Sequence, residues 1–277
     1  MLSFHNQMGG EKMKNELKME FSRCLNSKKF KYCFSILFGL TILSYAMLFK
    51  QTFQRNSLQL GKTTDYSMII SSTDIRTIFL TFILIAPLLC TLMYSDSFIE
   101  QRENNMYSIF LMRSGKKKYI LAKAITIFTV TFVSIFFILG FNEILTWISI
   151  PDVGINNGQP AYLIIQNNKA EYFLQDIYDR FPHLYNFIII IITALFCSIS
   201  SLIAFNLSMI FKINKIIMVI ITFLIVNGTE MFLSDDYQMQ MYIQTWPAEF
   251  KKFLMVLSIW ILLTVITFVI GIKKEII

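Results

Sequence analysis

The sequence predicts an all-α polytopic membrane protein. Six transmembrane helices are expected, with an amphipathic helix ahead of the first and a short charged helical segment between the second and third. Three observations carry this reading. The 277 residues are 55% hydrophobic and only 16% charged, with a mean hydropathy of +0.56, whereas soluble domains average ~45–50% apolar and ~25% charged residues. The apolar residues are gathered into six runs, each about long enough to cross ~30 Å of hydrocarbon at ~1.5 Å rise per residue. The basic residues sit in short segments beside alternate runs, which is the bias that orients membrane proteins. The net charge of +7 is therefore charge at a membrane surface, and no nucleic acid partner is expected.

In chain order, residues 1–12 stand apart. Gly9-Gly10-Glu11 ahead of Met13 resembles a translated ribosome-binding sequence, so 1–12 is expected to be a non-native or disordered leader, with Met13 the start. Over 13–31, Met13, Leu17, Phe21 and Leu25 recur every four residues, with Lys14, Lys18 and Arg23 elsewhere around the turn. That spacing describes an amphipathic helix lying in the plane of a membrane interface. The six spans are expected at about 32–49, 77–99, 119–147, 185–211, 216–233 and 253–272. The third run exceeds one membrane thickness and has to tilt or project. Only Lys212–Lys215 separate the fourth and fifth, which requires a tight antiparallel hairpin.

Seventeen of the 25 Lys and Arg residues fall in one alternating set of segments, among them Lys28, Lys29, Lys31, Arg102, Arg113 and Lys116–Lys118; eight fall in the other. By the positive-inside rule both termini and the segment 100–118 are cytoplasmic, and the loop 151–184 is extracellular. The outer loops are too short to be independent enzyme domains. The middle one is fairly apolar and is expected to hold a short helix against the membrane surface or over the mouth of a path.

The segment Glu100–Tyr119 is polar and charged between two spans. Asn104 or Asn105 suits a helix N-cap; Met106, Ile109 and Phe110 then share one face; and Gly115 suits the left-handed residue that closes such a helix. The segment is read as a docking helix, the alternative being a helix that rests on lipid. At membrane depth, ionisable side chains demand partners. Asp96, near the end of span two, is within reach of Arg102 or the lysines. Asn142 with Glu143, and Asn227 with Glu230, are candidate linings of a transport path, or else interfacial residues reaching water. Pro87 removes a backbone donor inside span two and predicts a kink. Ser198, Ser200 and Ser201 are small residues that favour close helix packing.

Catalytic chemistry has little support. Gly61-Lys62-Thr63 lacks the glycine five positions upstream that a phosphate-binding loop requires, the position being Asn56. Cys24, Cys33, Cys90 and Cys197 show no disulfide or zinc spacing, and two histidines are too few for a metal site. The chain is expected not to be catalytic alone and to bind no metal or cofactor itself.

Taken together, the layout resembles the membrane (permease) subunit of an ABC-2-type, or type V, ABC transporter over residues 13–277. In that family an amphipathic elbow helix precedes six spans, and a coupling helix joins spans two and three. It begins with an acidic, Arg-containing stretch and ends in a Ser- or Gly-containing turn with basic residues. Glu100, Arg102 and Glu103, then Met106–Arg113, then Ser114–Lys118 match that order, with Asn104-Asn105-Met106 standing where the family often has a Gly-Thr pair. The resemblance implies an ATP-driven exporter in a bacterial cell membrane. Separate cytoplasmic ATPase subunits, holding ATP and Mg, would dock on Glu100, Arg102, Glu103, Asn104, Asn105, Met106, Tyr107, Ile109, Phe110, Arg113 and Ser114. A second identical or related membrane subunit would complete the path. The apolar interior favours an amphipathic or hydrophobic cargo, such as an antimicrobial peptide (for export or self-immunity), a lipid or a drug. The alternative reading is a membrane sensor or scaffold binding a cytoplasmic regulatory partner.

Overall fold

Runs of Leu, Ile and Phe in lipid have one inexpensive conformation, because a helix satisfies its backbone donors and acceptors internally. The computed structural model describes residues 2–54, 73–104, 106, 112, 115–149, 173–211, 213–234, 237–244 and 249–274. Among these there is no strand. The helices are α1 (Leu2–Asn26), α2 (Lys28–Gln54), α3 (Thr73–Tyr94), α4 (Ser97–Glu103), α5 (Lys116–Ser149), α6 (Gln175–Arg180), α7 (Pro182–Ile210), α8 (Lys215–Phe232), α9 (Met239–Ile243) and α10 (Phe250–Lys273).

Among the described residues, five stretches are long and apolar enough to cross a membrane: Lys28–Lys50, Ile75–Glu103, Lys116–Ser149, His183–Ile210 and Phe250–Lys273. The architecture is that of a helical multi-pass membrane protein. The expected fifth span is α8, Lys215–Phe232, an 18-residue helix of roughly 27 Å rise, in which Lys215–Thr229 is a described apolar stretch. The hairpin between α7 and α8 is present, with the two helices packed together.

Helix α7 is the hub, packing against α3, α5, α8 and α10. Small residues allow those approaches: Ala194, Ser198, Ser200, Ser201 and Ala204 are all fully buried. The serine hydroxyls donate to carbonyls one turn back, Ser198 to Ala194 at 2.7 Å, Ser200 to Phe196 at 2.8 Å and Ser201 to Cys197 at 3.1 Å. Helix α10 instead buries a single stripe, Phe253, Val256, Trp260, Thr264 and Gly271. Its other faces carry exposed Leu254, Ile259, Leu262 and Ile266, and a helix apolar all round belongs in lipid or against another apolar helix. Gly271 lets α10 pack tightly on α7: a Cβ built there would lie 3.0 Å from Met209 Cε and 3.2 Å from Met209 Cβ.

Helix α3 continues through Pro87. The interruption comes later, at a turn of Ser95 and Asp96, after which α4 carries the chain on to Glu103. Ser95 Oγ donates to the Ser201 carbonyl at 2.9 Å, tying that turn to α7. Asn104, expected with Asn105 as an alternative N-cap of a following helix, closes α4 as its C-cap, because helical geometry already extends through Glu100–Glu103; Asn105 lies outside the described residues. Gly115 takes φ +81°, the left-handed conformation its position predicts. Part of the 151–184 loop is helical, as α6. Just ahead of it the fully buried Phe173 packs on Tyr242 and Phe253, with ring centroids 5.3 and 5.2 Å away.

Candidate functional site

The charged residues of α1, α2, α4, α5 and α8 converge at one end of the bundle. Helix α1 packs on α5, with Phe21 of its apolar stripe against the core. The face turned inward is Glu16, Glu20 and Cys24 at helical spacing, all buried, while Leu25 is 49% exposed. The reason lies opposite. Lys123 on α5 is also fully buried, and its Nζ is 3.7 Å from Glu20 Oε2. A buried ammonium without a counter-charge is too costly to persist, so the acidic face of α1 goes to the protein, while Leu25 at the end of the apolar stripe stays exposed.

Glu20 and Lys123 each have several partners, whereas buried Glu16 Oε2 has no hydrogen-bond partner among the described residues. Tyr94 donates its hydroxyl proton to Glu20 Oε2 at 2.7 Å, and Arg23 Nη1 donates to Glu20 Oε1 at 3.2 Å. Lys123 donates to Gln101 Oε1 at 2.7 Å and to the Tyr119 hydroxyl at 3.1 Å. Its ammonium also lies over the rings of Tyr94 and Tyr119, 5.5 and 5.2 Å from their centroids, within cation–π range. The Tyr119 hydroxyl in turn donates to Gln101. Beside them, burial and then the Glu20 carboxylate push the Cys24 thiol up from its ordinary 9.0 to about 12.

A second, more open set adjoins the first. Lys29, at the start of α2, donates to Asp96 at the α3–α4 turn and to Glu100 Oε1 on α4 at 2.5 Å. Lys215, at the start of α8, reaches Glu100 Oε1 at 3.1 Å and Glu103 Oε2 at 3.7 Å. Asp96 thus finds a lysine, as expected for a carboxylate at that depth, and its described partner is Lys29 rather than Arg102. Between α1, α2 and the α3–α4 turn lies a cavity of about 190 Å³, lined by Arg23, Ser27, Lys29, Asp96, Ser97 and Glu100 among others.

Of the docking residues expected from sequence, Glu100, Arg102, Glu103 and Asn104 belong to α4 and its cap. Met106 and Met112 are helical and exposed, at 51% and 82%. Asn105, Tyr107, Ile109, Phe110, Arg113 and Ser114 lie outside the described residues. The path candidates fall into two groups. Asn142 donates to the Thr41 carbonyl at 3.1 Å, and buried Glu143 accepts from Asn186 Nδ2 at 2.8 Å; His183 Nδ1 is 3.7 Å from Glu143, and its ring stacks on Trp147 at 5.0 Å. These bonds run from α5 to α2 and α7. Asn227 pairs elsewhere, accepting from Gln240 Nε2 at 3.1 Å, and the side chain of Glu230 lies outside the described residues.

Sequence reasoning treated Lys29, Lys123 and Lys215 as orientation signals and passed over Glu20, Tyr94 and Gln101. The available signal was the Glu16–Glu20–Cys24 repeat, polar residues at a four-residue period beside the apolar stripe. No group of three or more His, Cys, Asp or Glu suited to a metal ion occurs among the described residues. Comparison with family models, curated proteins and solved structures finds no match.

Proposed function

We propose that this chain is the membrane subunit of an ATP-driven exporter of the ABC-2 type, lodged in a bacterial cell membrane with both termini and the segment 100–118 in the cytoplasm. It supplies half of a translocation path whose other half is a second, identical or related membrane subunit. Cytoplasmic ATPase subunits, carrying ATP and Mg, dock on the 100–118 segment. The cargo is amphipathic or hydrophobic, such as an antimicrobial peptide, a lipid or a drug. In this reading α8 is the sixth crossing and α1, ahead of the first span, is the elbow helix.

The observation that carries this reading is the position of Glu100. It is bonded at once to Lys29 on α2 and Lys215 on α8, one helical turn after the α3–α4 interruption. A force applied to residues 100–118 therefore reaches the ends of α2, α3 and α8 together, and α5 follows directly through Gly115. Coupling of ATPase closure to helix movement needs such a rigid short link between packed elements. Exposed Met106 and Met112 suit an adaptable apolar contact with a soluble partner.

The test is purification of the full chain in mild detergent with identification of what accompanies it. A stoichiometric soluble ATPase, lost on replacing Met106, Ile109 and Phe110, is the expected result. Glu103→Lys or Phe110→Asp is expected to uncouple ATP hydrolysis from transport while the helices remain folded. A chain that purifies alone, with no ATPase even after cross-linking, overturns the reading.

A further inference from the structure

We propose that the cavity between α1, α2 and the α3–α4 turn holds the headgroup of an aminophospholipid, a phosphoethanolamine zwitterion presented by the bilayer. The cavity is about 190 Å³, well beyond the ~10–15 Å³ that one water needs. It is a built polar site, with Arg23, Ser27, Lys29, Asp96, Ser97 and Glu100 on its walls. Ser97 is 6% exposed, and its hydroxyl has no hydrogen-bond partner. A buried hydroxyl left unpaired is unfavourable, and a ligand oxygen in the cavity satisfies it.

The charges on the walls select the ligand. Two cations, Arg23 and Lys29, face two carboxylates, Asp96 and Glu100, so neither a net anion nor a net cation is favoured. The charges are also separated: Arg23 belongs to α1, and the carboxylates to the turn and α4. Each carboxylate has about four acceptor positions, more than Lys29 and Lys215 occupy, so acceptor capacity remains for a further N–H donor. A primary ammonium brings three donors, whereas the quaternary ammonium of a choline lipid brings none. Arg23, Ser27 and Ser97 supply donors for the phosphate.

Depth identifies the source. The candidate span in α2 begins at Lys28, and that of α3–α4 ends at Glu103, with the charged residues Asp96, Glu100, Arg102 and Glu103 in its last two turns. The cavity therefore lies where hydrocarbon gives way to headgroups, beside α1. This inference depends on the membrane placement of those helices and on nothing about ATPase coupling, so it can fail or hold independently of the transporter reading.

The experiment is a native mass spectrometry titration of the full chain, delipidated in detergent, with phosphatidylethanolamine, phosphatidylcholine and phosphatidylglycerol of the same acyl chains. The expected result is binding of phosphatidylethanolamine at least about fivefold tighter than of the other two, the factor one ordinary hydrogen bond supplies. Ser97→Ala, which removes an unpartnered hydroxyl and leaves the fold intact, is expected to weaken that binding by a similar factor, and Arg23→Gln by more. Equal binding of the three lipids overturns the proposal. So does a preference that survives both substitutions unchanged. Binding of soluble O-phosphoethanolamine as tight as that of the lipid overturns the lipid source.

Discussion

Helix α5 carries one buried charge near each end, and its surroundings treat the two differently. Lys123 and Glu143 are both buried and lie roughly 30 Å apart along the helix axis. Lys123 meets an opposite charge, Glu20 on α1, inside a shell of two tyrosines, an arginine and a glutamine. Glu143 meets a neutral amide, Asn186, and an imidazole that makes an ion pair only when protonated. The first end is held by charges that depend on one another across α1, α3, α4 and α5. The described contacts of the second are the Asn186 amide, the His183 ring and, nearby, aromatic packing of Phe173, Tyr242 and Phe253. The contrast teaches that a buried opposite charge makes the first end a clamp, whereas the described contacts at the second are individually weaker.

The sharpest way to break that comparison is at Glu20 and Lys123. Either Glu20→Gln or Lys123→Met alone leaves one buried charge unpaired, for an expected loss of about 3–5 kcal/mol. The double variant is expected to recover most of it, since removing both charges also removes both desolvation penalties. Thermal unfolding in detergent reads this directly, and additive single losses would show that the two residues are not a pair.

At the other end, Asn186→Leu removes the donor to Glu143, with an expected loss of about 1–3 kcal/mol. A loss as large as that of the Lys123 variant would erase the asymmetry. The more open set sharpens the picture further. Lys29 has a side chain 41% exposed, so solvent screens its pairs, and Asp96→Asn is expected to lower stability by only about 0.5–1 kcal/mol. That effect should shrink in high salt, whereas the Glu20–Lys123 effect should not.

The smallest effect concerns reactivity. With its thiol raised to about 12, Cys24 remains protonated in the folded chain at pH 8 and is expected to resist maleimide until the protein is denatured. The linkage has a definite sign. The folded state holds this proton more tightly than the unfolded state does, so the contribution is fully present below pH 9 and is lost as pH rises from 9 toward about 12. Mass spectrometry of Cys24 alkylation against pH checks it, and ready labelling of native protein at pH 8 would show that α1 does not stay docked on α5.

Much of the architecture was legible in local sequence. Hydropathy located the long helices, Gly115 announced its left-handed turn, the 151–184 loop was read as holding a short helix, and Asp96 was read as within reach of Arg102 or a lysine. One local reading was refined by packing: of the two N-cap candidates, Asn104 closes α4, and Asn105 lies outside the described residues. The inward face of α1 illustrates the general limit. Its apolar stripe was visible at once, but a stripe gives only a direction and not what occupies it.

By itself, the sequence determined that this chain is a bundle of membrane-crossing helices with its positive charge gathered at alternate ends, because hydropathy and charge placement act over single turns and spans. Only the tertiary structure decided which charges meet. Tyr94 reaches Glu20 across 74 residues, and Lys29 reaches Asp96 across 67. Such pairs form because burying Lys123 beside α1 is tolerable only with a carboxylate on the facing surface, a constraint that exists once the helices are packed and not before.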